Sequence, residues 1–192
     1  MDVKAINTQI PGVVIIEPTC YGDSRGWFIE TYNKQKLAAL GIGTDFVQDN
    51  SSFSANKGTI RGLHFQSRPY TQTKLVRCVR GAVLDVAVDI RKGSPTYLKW
   101  VSVELSAENR RQLFIPKGFA HGFITLTDDV EFAYKVDAHY APDHDMGIRF
   151  DDPDIGVDWG IDITKEAPIL SAADKARPYL KDIDTGFIYG EI

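Results

Sequence analysis

The chain has 192 residues, 43% apolar and 25% charged, the make-up of one ordinary globular domain that can bury a core without staples. Its 22 Lys plus Arg against 26 Asp plus Glu leave a net charge of −4. That excludes the basic excess of a sequence-independent nucleic-acid binder, but not a small phosphorylated ligand held by a few local cations.

Met1 to Gly12 is polar and lacks the basic-then-apolar run of a signal peptide. No apolar stretch nears the ~20 residues that span a bilayer, so no membrane partner and a cytoplasmic location are expected. Cys20 and Cys78 lie far apart without a CxxC pair, which excludes a Cys-rich zinc site and reads as two small buried residues. Residues 33–40 form a short helix by pattern, with Asn33 as N-cap and Gly41 just past the end. In residues 61–66, strand alternation puts Gly62, His64 and Gln66 on one face and Leu63 and Phe65 on the other. Lys74, Val76 and Cys78 share a face in the same way. Leu84, Val86, Val88 and Ile90 alternate with Val83, Asp85, Ala87 and Asp89. Two further alternating runs cover 100–105 and 130–136, the latter placing Tyr134 with Val130, Phe132 and Val136. Turn signals separate them at Lys92-Gly93-Ser94-Pro95, Pro116-Lys117-Gly118, Asp128-Asp129 and Ala141-Pro142-Asp143. This spacing predicts a sandwich or small barrel rather than βαβ units. Residues 171–176 form a second short helix, and the last ~40 residues, richer in Asp and Pro, form a tail wrapped over the barrel.

The chemistry-bearing residues fall on these strands. A lysine on the apolar face of Lys74, Val76 and Cys78 is costly unless paired or functional. His64, Lys74 and Tyr134 inside one barrel are the parts that move a proton on carbon next to a carbonyl: a base, a cation for the enolate oxygen and an acid. Packing alone also accounts for His64 and for Tyr134. Asp174 in Ser171-Ala172-Ala173-Asp174 reads first as the acid of a capping box, and second as an aspartate that orients the base. Arg61, three residues before His64, is a better phosphate ligand than Arg25. Residues 116–123, PKGFAHGF, carry a P-x-G-x-x-H spacing that resembles the second motif of the cupin superfamily. The first cupin motif is reduced to His64-Phe65-Gln66 with no Glu following. Two histidines and an amide hold a divalent metal poorly, so a metal-free barrel is expected.

Taken together, DSRGWFIETY (23–32), QDNSS (48–52), TIRGLHFQ (59–66), residues 74–97, PKGFAHGF (116–123), YKVDAHYAP (134–142), DDP (151–153) and LSAAD (170–174) resemble the dTDP-4-dehydrorhamnose 3,5-epimerase family of cupins in order and spacing. The resemblance covers nearly the whole chain. It implies a mainly β, cupin-type double-stranded β-helix (jelly-roll) barrel with a few short helices. It further implies a single domain over 1–192, with a barrel core at roughly 45–150 flanked by N-terminal strands and a C-terminal tail. The implied substrate is a dTDP-linked 4-keto-6-deoxyhexose, inverted at C3 and C5 without a cofactor. Carried over by position, His64 is the base, Asp174 its orienting partner, Tyr134 the acid on the opposite face and Lys74 the enolate stabiliser. Arg25, Glu30, Gln48, Asn50, Arg61, His121, Tyr140 and Asp145 contact substrate. The family implies a homodimer whose N-terminal strands cross to the partner. Two departures stand out: the family commonly carries Glu where Asp145 stands, and Lys where Ala173 stands. Competing readings are a C3-only or C5-only epimerase, a metal-dependent cupin enzyme and a non-catalytic sugar-nucleotide binder.

Overall fold

Strand alternation with both faces apolar requires cover on both sides, and the chain supplies it from its own two ends. The computed structural model describes residues 3–163 and 165–191. Its N-terminal part holds β1 (Val3–Asn7), β2 (Val14–Pro18), the hairpin β3 (Cys20–Asp23) and β4 (Gly26–Ile29), and α1 (Lys34–Ala39). The barrel continues with β5 (Gln48–Ser54), β6 (Ile60–Gln66), β7 (Lys74–Arg80), β8 (Ala82–Asp89), β9 (Trp100–Ser106), β10 (Gln112–Ile115), β11 (Phe119–Thr125), β12 (Val130–Val136) and β13 (Asp145–Gly147). One sheet runs β1-β2-β10-β7-β12-β5 and the other β13-β6-β11-β8-β9, every ladder antiparallel. This is the expected cupin-like β-barrel.

Three apolar clusters follow from the period of two. Between the sheets lie Val76 and Cys78 of β7, Val83 and Ala87 of β8, Leu105, Leu113, Phe123 and Phe132. Outward from the five-stranded sheet point Val86 and Val88 of β8, Ile90 just after it, and Leu63 and Phe65 of β6. The C-terminal segment covers these with Phe150, Trp159, Leu180 and Phe187, so the tail does wrap the barrel. Outward from the six-stranded sheet, Leu75 and Phe114 meet Leu37 of α1.

Both predicted helices form. Asn33 caps α1 by accepting the Lys36 N–H at 3.2 Å, and Gly41 follows at φ +86. The second helix, α2 (Ala172–Lys175), starts at Ser171. The cysteine expectation holds for Cys78 alone: Cys20 is half-buried at the start of β3, and both thiols are free. Among the described residues no helix is long and apolar enough to cross a membrane.

Candidate active site

Polar side chains from β5, β6, β7, β11 and β12 gather at one cavity. Arg61, His64, Lys74, His121 and Tyr134 line a cavity of about 150 Å³ with Ser52, Phe123 and Phe132. The approach of β6 to β11 that brings the two histidines together depends on glycine. A Cβ on Gly62 would lie 2.5 Å from the Gly122 Cα, and Gly62 sits at φ +140. His64 and His121 are register partners in that ladder.

Each histidine has its own aspartate. His64 Nε2–H donates to Asp174 Oδ1 at 2.5 Å, across 110 residues of sequence. Asp174 also closes the capping box. Its backbone N–H donates to the Ser171 hydroxyl at 3.0 Å, and that hydroxyl donates to Asp174 Oδ2 at 2.9 Å. Burial opposes the charge on Asp174, but the His64 hydrogen bond and charge, Ser171 and Arg177 outweigh it and hold the carboxyl below its usual range. His121 Nε2 lies 2.9 Å from Oδ1 of Asp85, a β8 carboxylate fully buried in the barrel. Burial pushes the Asp85 carboxyl up and the His121 imidazole down.

Lys74 enters from β7, 9% exposed. Burial lowers its ammonium to about 8, against the opposing pull of Asp85 and Asp145. Burial also raises the Tyr134 phenol, with Arg61 drawing it back down. Arg61 itself is anchored to Ser54 Oγ at 3.1 Å and to the Phe53 carbonyl at 2.9 Å. The remaining predicted contacts divide into two groups. Gln48, Asn50 and Tyr140 come together beside β12: Gln48 donates to Asn50 Oδ1 at 2.8 Å and accepts the Tyr140 N–H at 3.0 Å. Asp145, on β13 beside β6, binds Arg177 Nη2 at 2.5 Å. Arg25 and Glu30 do not line this cavity. Arg25 projects from the β3–β4 hairpin, 88% exposed and paired with Asp23, while Glu30 is tied to Asn33 and Lys36.

Gln66, the residue at the first cupin motif, spends its amide on the backbone of Tyr70, His139 and Ala141 at 2.7, 3.2 and 2.8 Å. Among the described residues there is no group of three or more His, Cys, Asp or Glu placed to hold a metal ion. Two site residues escaped the sequence reading. Asp85 carried the signal that marked Lys74, a charge between apolar neighbours at period two, but its face of β8 also holds Asp89. Arg177 carried no signal before the tail was placed.

A cupin-like barrel that sets His64, bonded to Asp174, beside a buried lysine and a tyrosine has the parts of an acid–base site. The sequence model of dTDP-4-dehydrorhamnose 3,5-epimerase matches residues 7–182. The dTDP-4-dehydrorhamnose 3,5-epimerase of Sinorhizobium fredii (strain NBRC 101917 / NGR234) is 49% identical over 184 residues, 96% of this chain and 93% of that protein. The crystal structure of dTDP-6-deoxy-D-glucose-3,5-epimerase from Legionella pneumophila Philadelphia 1, in complex with dTDP-4-keto-L-rhamnose, is 47% identical with a TM-score of 0.90, covering 97% of each chain. A 3′-monoepimerase from Streptomyces bikiniensis in complex with dTDP-quinovose is 35% identical with a TM-score of 0.82, covering 91% of this chain and 86% of that one. The chain belongs to the dTDP-4-dehydrorhamnose 3,5-epimerase family, whose members are isomerases.

Proposed function

We propose that this chain inverts C3 and C5 of a nucleotide-linked 4-keto-6-deoxyhexose, converting dTDP-4-dehydro-6-deoxy-D-glucose to dTDP-4-dehydro-L-rhamnose. The observation that carries this reading is the His64–Asp174 bond in the cavity that also holds Lys74 and Tyr134. The 4-keto group acidifies the hydrogens on C3 and C5. His64 Nδ1, left unprotonated when Nε2–H donates to Asp174, takes one of them, and the C–H electron pair moves to the keto oxygen as an enolate. The Lys74 ammonium stabilises that oxygen in a cavity where a charge acts strongly. Tyr134, across the barrel on β12, delivers a proton to the opposite face of the same carbon, restoring the carbonyl. The tyrosinate and the imidazolium then exchange protons with solvent. Base, acid and oxyanion partner are all side chains, so no cofactor enters these steps. The ligand in the Legionella enzyme supports the choice of substrate. Gln48, Asn50, Arg61, His121, Tyr140 and Asp145 are assigned to substrate contact, with Arg61 placed to meet the diphosphate.

A homodimer belongs to the same reading. Arg25 sits on a hairpin whose Trp27 and Phe28 are each 60% exposed, so its assigned contact with substrate requires the cavity of a second copy. Glu30, at the end of that hairpin, goes with it. Mixing His64→Ala with Arg25→Ala chains tests this: shared sites restore activity in the mixture, and separate sites leave it at the sum of the two. A cytoplasmic location fits two free cysteines and a sugar-nucleotide substrate.

C3-only inversion is the second reading, favoured by the resemblance to the Streptomyces 3′-monoepimerase and by the Asp145 side chain being drawn to Arg177. Incubation of the purified chain with the 4-keto-6-deoxyglucose nucleotide in D2O tests both. Label at C3 and C5 supports double inversion, label at C3 alone the second reading, and label at neither overturns both.

A further inference from the structure

The inner face of β8 reads Val83, Asp85, Ala87, a carboxylate between two core apolar residues. Asp85 is 0% exposed; its Oδ1 meets His121, while its equally buried Oδ2 has no hydrogen-bond partner among the described residues. A half-satisfied carboxylate in a barrel core is costly, and a leucine would fill the space without that cost. The histidines of the two His–Asp pairs are register partners in the β6–β11 ladder, yet the pairs differ electrically. Asp174 is held well ionised beside His64. In the second pair burial pushes the imidazole toward its neutral form and the carboxyl up, and the charges of His121 and Lys74 draw that carboxyl back down.

We propose that Asp85 is a positioning residue for the barrel's reaction: it fixes His121 with Nε2–H toward Asp85 and Nδ1 as an acceptor, and its charge keeps the buried Lys74 ammonium protonated. This rests on the reading of Lys74 as the group that stabilises the enolate. A His121 that presents an acceptor takes a hydrogen bond from a sugar hydroxyl and leaves the developing oxyanion to Lys74. The charged and titratable groups around Lys74 are Asp85 on β8, Asp145 on β13, His64 and Arg61 on β6, His121 on β11 and Tyr134 on β12. Of the two carboxylates that raise the ammonium against burial, Asp85 has the larger effect, and Asp145 shares its charge with Arg177.

Asp85→Asn keeps the shape and removes the charge. Two readouts follow it: the Lys74 Nζ titration by ¹⁵N NMR, and kcat/KM against pH from 5.5 to 9. We expect the Lys74 midpoint and the alkaline limb to fall together by a unit or more. The loss in kcat should be about fivefold or more at pH 8 and narrow toward pH 6, with KM changed less than threefold. A loss independent of pH, or an unmoved Lys74 midpoint, overturns the proposal. The wild-type protein supplies a test that needs no variant. Imidazole ¹⁵N shifts should show His121 as the Nε2–H tautomer, and the Nδ1–H tautomer overturns the assignment. Wild-type solvent exchange at C3 or C5 separates the two levels. Its absence overturns the functional reading, whereas its presence with an unmoved limb in Asp85→Asn overturns this inference alone.

Discussion

His64 and Asp174 meet at 2.5 Å although 110 residues separate them, because α2 begins where the tail folds back beside β6. The contact depends on two layers of local structure. Ser171 caps the helix and orients one carboxylate oxygen, and the other oxygen is left for the imidazole.

Asp174→Asn tests the orienting role. An amide can present either end to His64, so the tautomer with Nδ1 free is no longer enforced. We expect kcat to fall roughly 10²–10⁴-fold, with binding of dTDP changed little, as read by steady-state kinetics and calorimetry.

The same aspartate sets an acid limit on stability. Its carboxyl in the folded protein lies below the ordinary value of 3.8, so between the two values the unfolded chain holds the extra proton. Its contribution is therefore complete above the unfolded value and is lost as pH falls through the folded one. Chemical denaturation from pH 6 to pH 3 should show a smaller acid-induced loss in Asp174→Asn than in wild type.

Lys74 has the opposite sign. Its ammonium is lowered from 10.5 to about 8, so between those values the unfolded chain holds more protons and this group favours folding increasingly as pH rises. Activity should fall over the same interval as the ammonium is lost. Parallel measurement of kcat and of unfolding free energy, in wild type and Lys74→Met, checks for these opposed slopes; the variant should lack the stability slope.

Tyr134→Phe removes the acid and keeps the ring. Abstraction by His64 continues, so solvent deuterium should still enter the substrate carbon. Formation of the inverted product should drop by about 10²-fold or more. NMR of the sugar separates exchange from inversion.

Trp159 anchors the tail that carries Asp174. It is almost fully buried under the five-stranded sheet and donates its indole N–H to the Phe150 carbonyl at 2.9 Å. Trp159→Ala should cost ~3–5 kcal/mol of stability, read by denaturant titration.

Most of the barrel was legible from the period of two, because β7, β8 and β12 each alternate cleanly and each proved to have an inner face. The side on which a polar residue lay was harder to read. Lys74 was conspicuous among Val76 and Cys78, whereas Asp85 shared its face with Asp89, whose partners Arg91, Ser94 and Thr96 make it a structural carboxylate. Distances across the chain were not legible at all. Ser171 to Asp174 was readable as a capping box, but its approach to His64 depends on Trp159, Leu180 and Phe187 covering apolar strands from afar. Arg25 and Glu30 carried the family pattern, yet hairpin geometry takes Arg25 into solvent, paired with Asp23 and away from the cavity.

The central claim is that His64 removes the proton. Deuterium uptake from D2O into the sugar, compared between wild type and His64→Ala, tests it most directly. The account predicts label at C3 and C5 with wild type, a loss of roughly 10²-fold or more in His64→Ala, and dTDP affinity within a few-fold in both. Undiminished exchange in His64→Ala would contradict it.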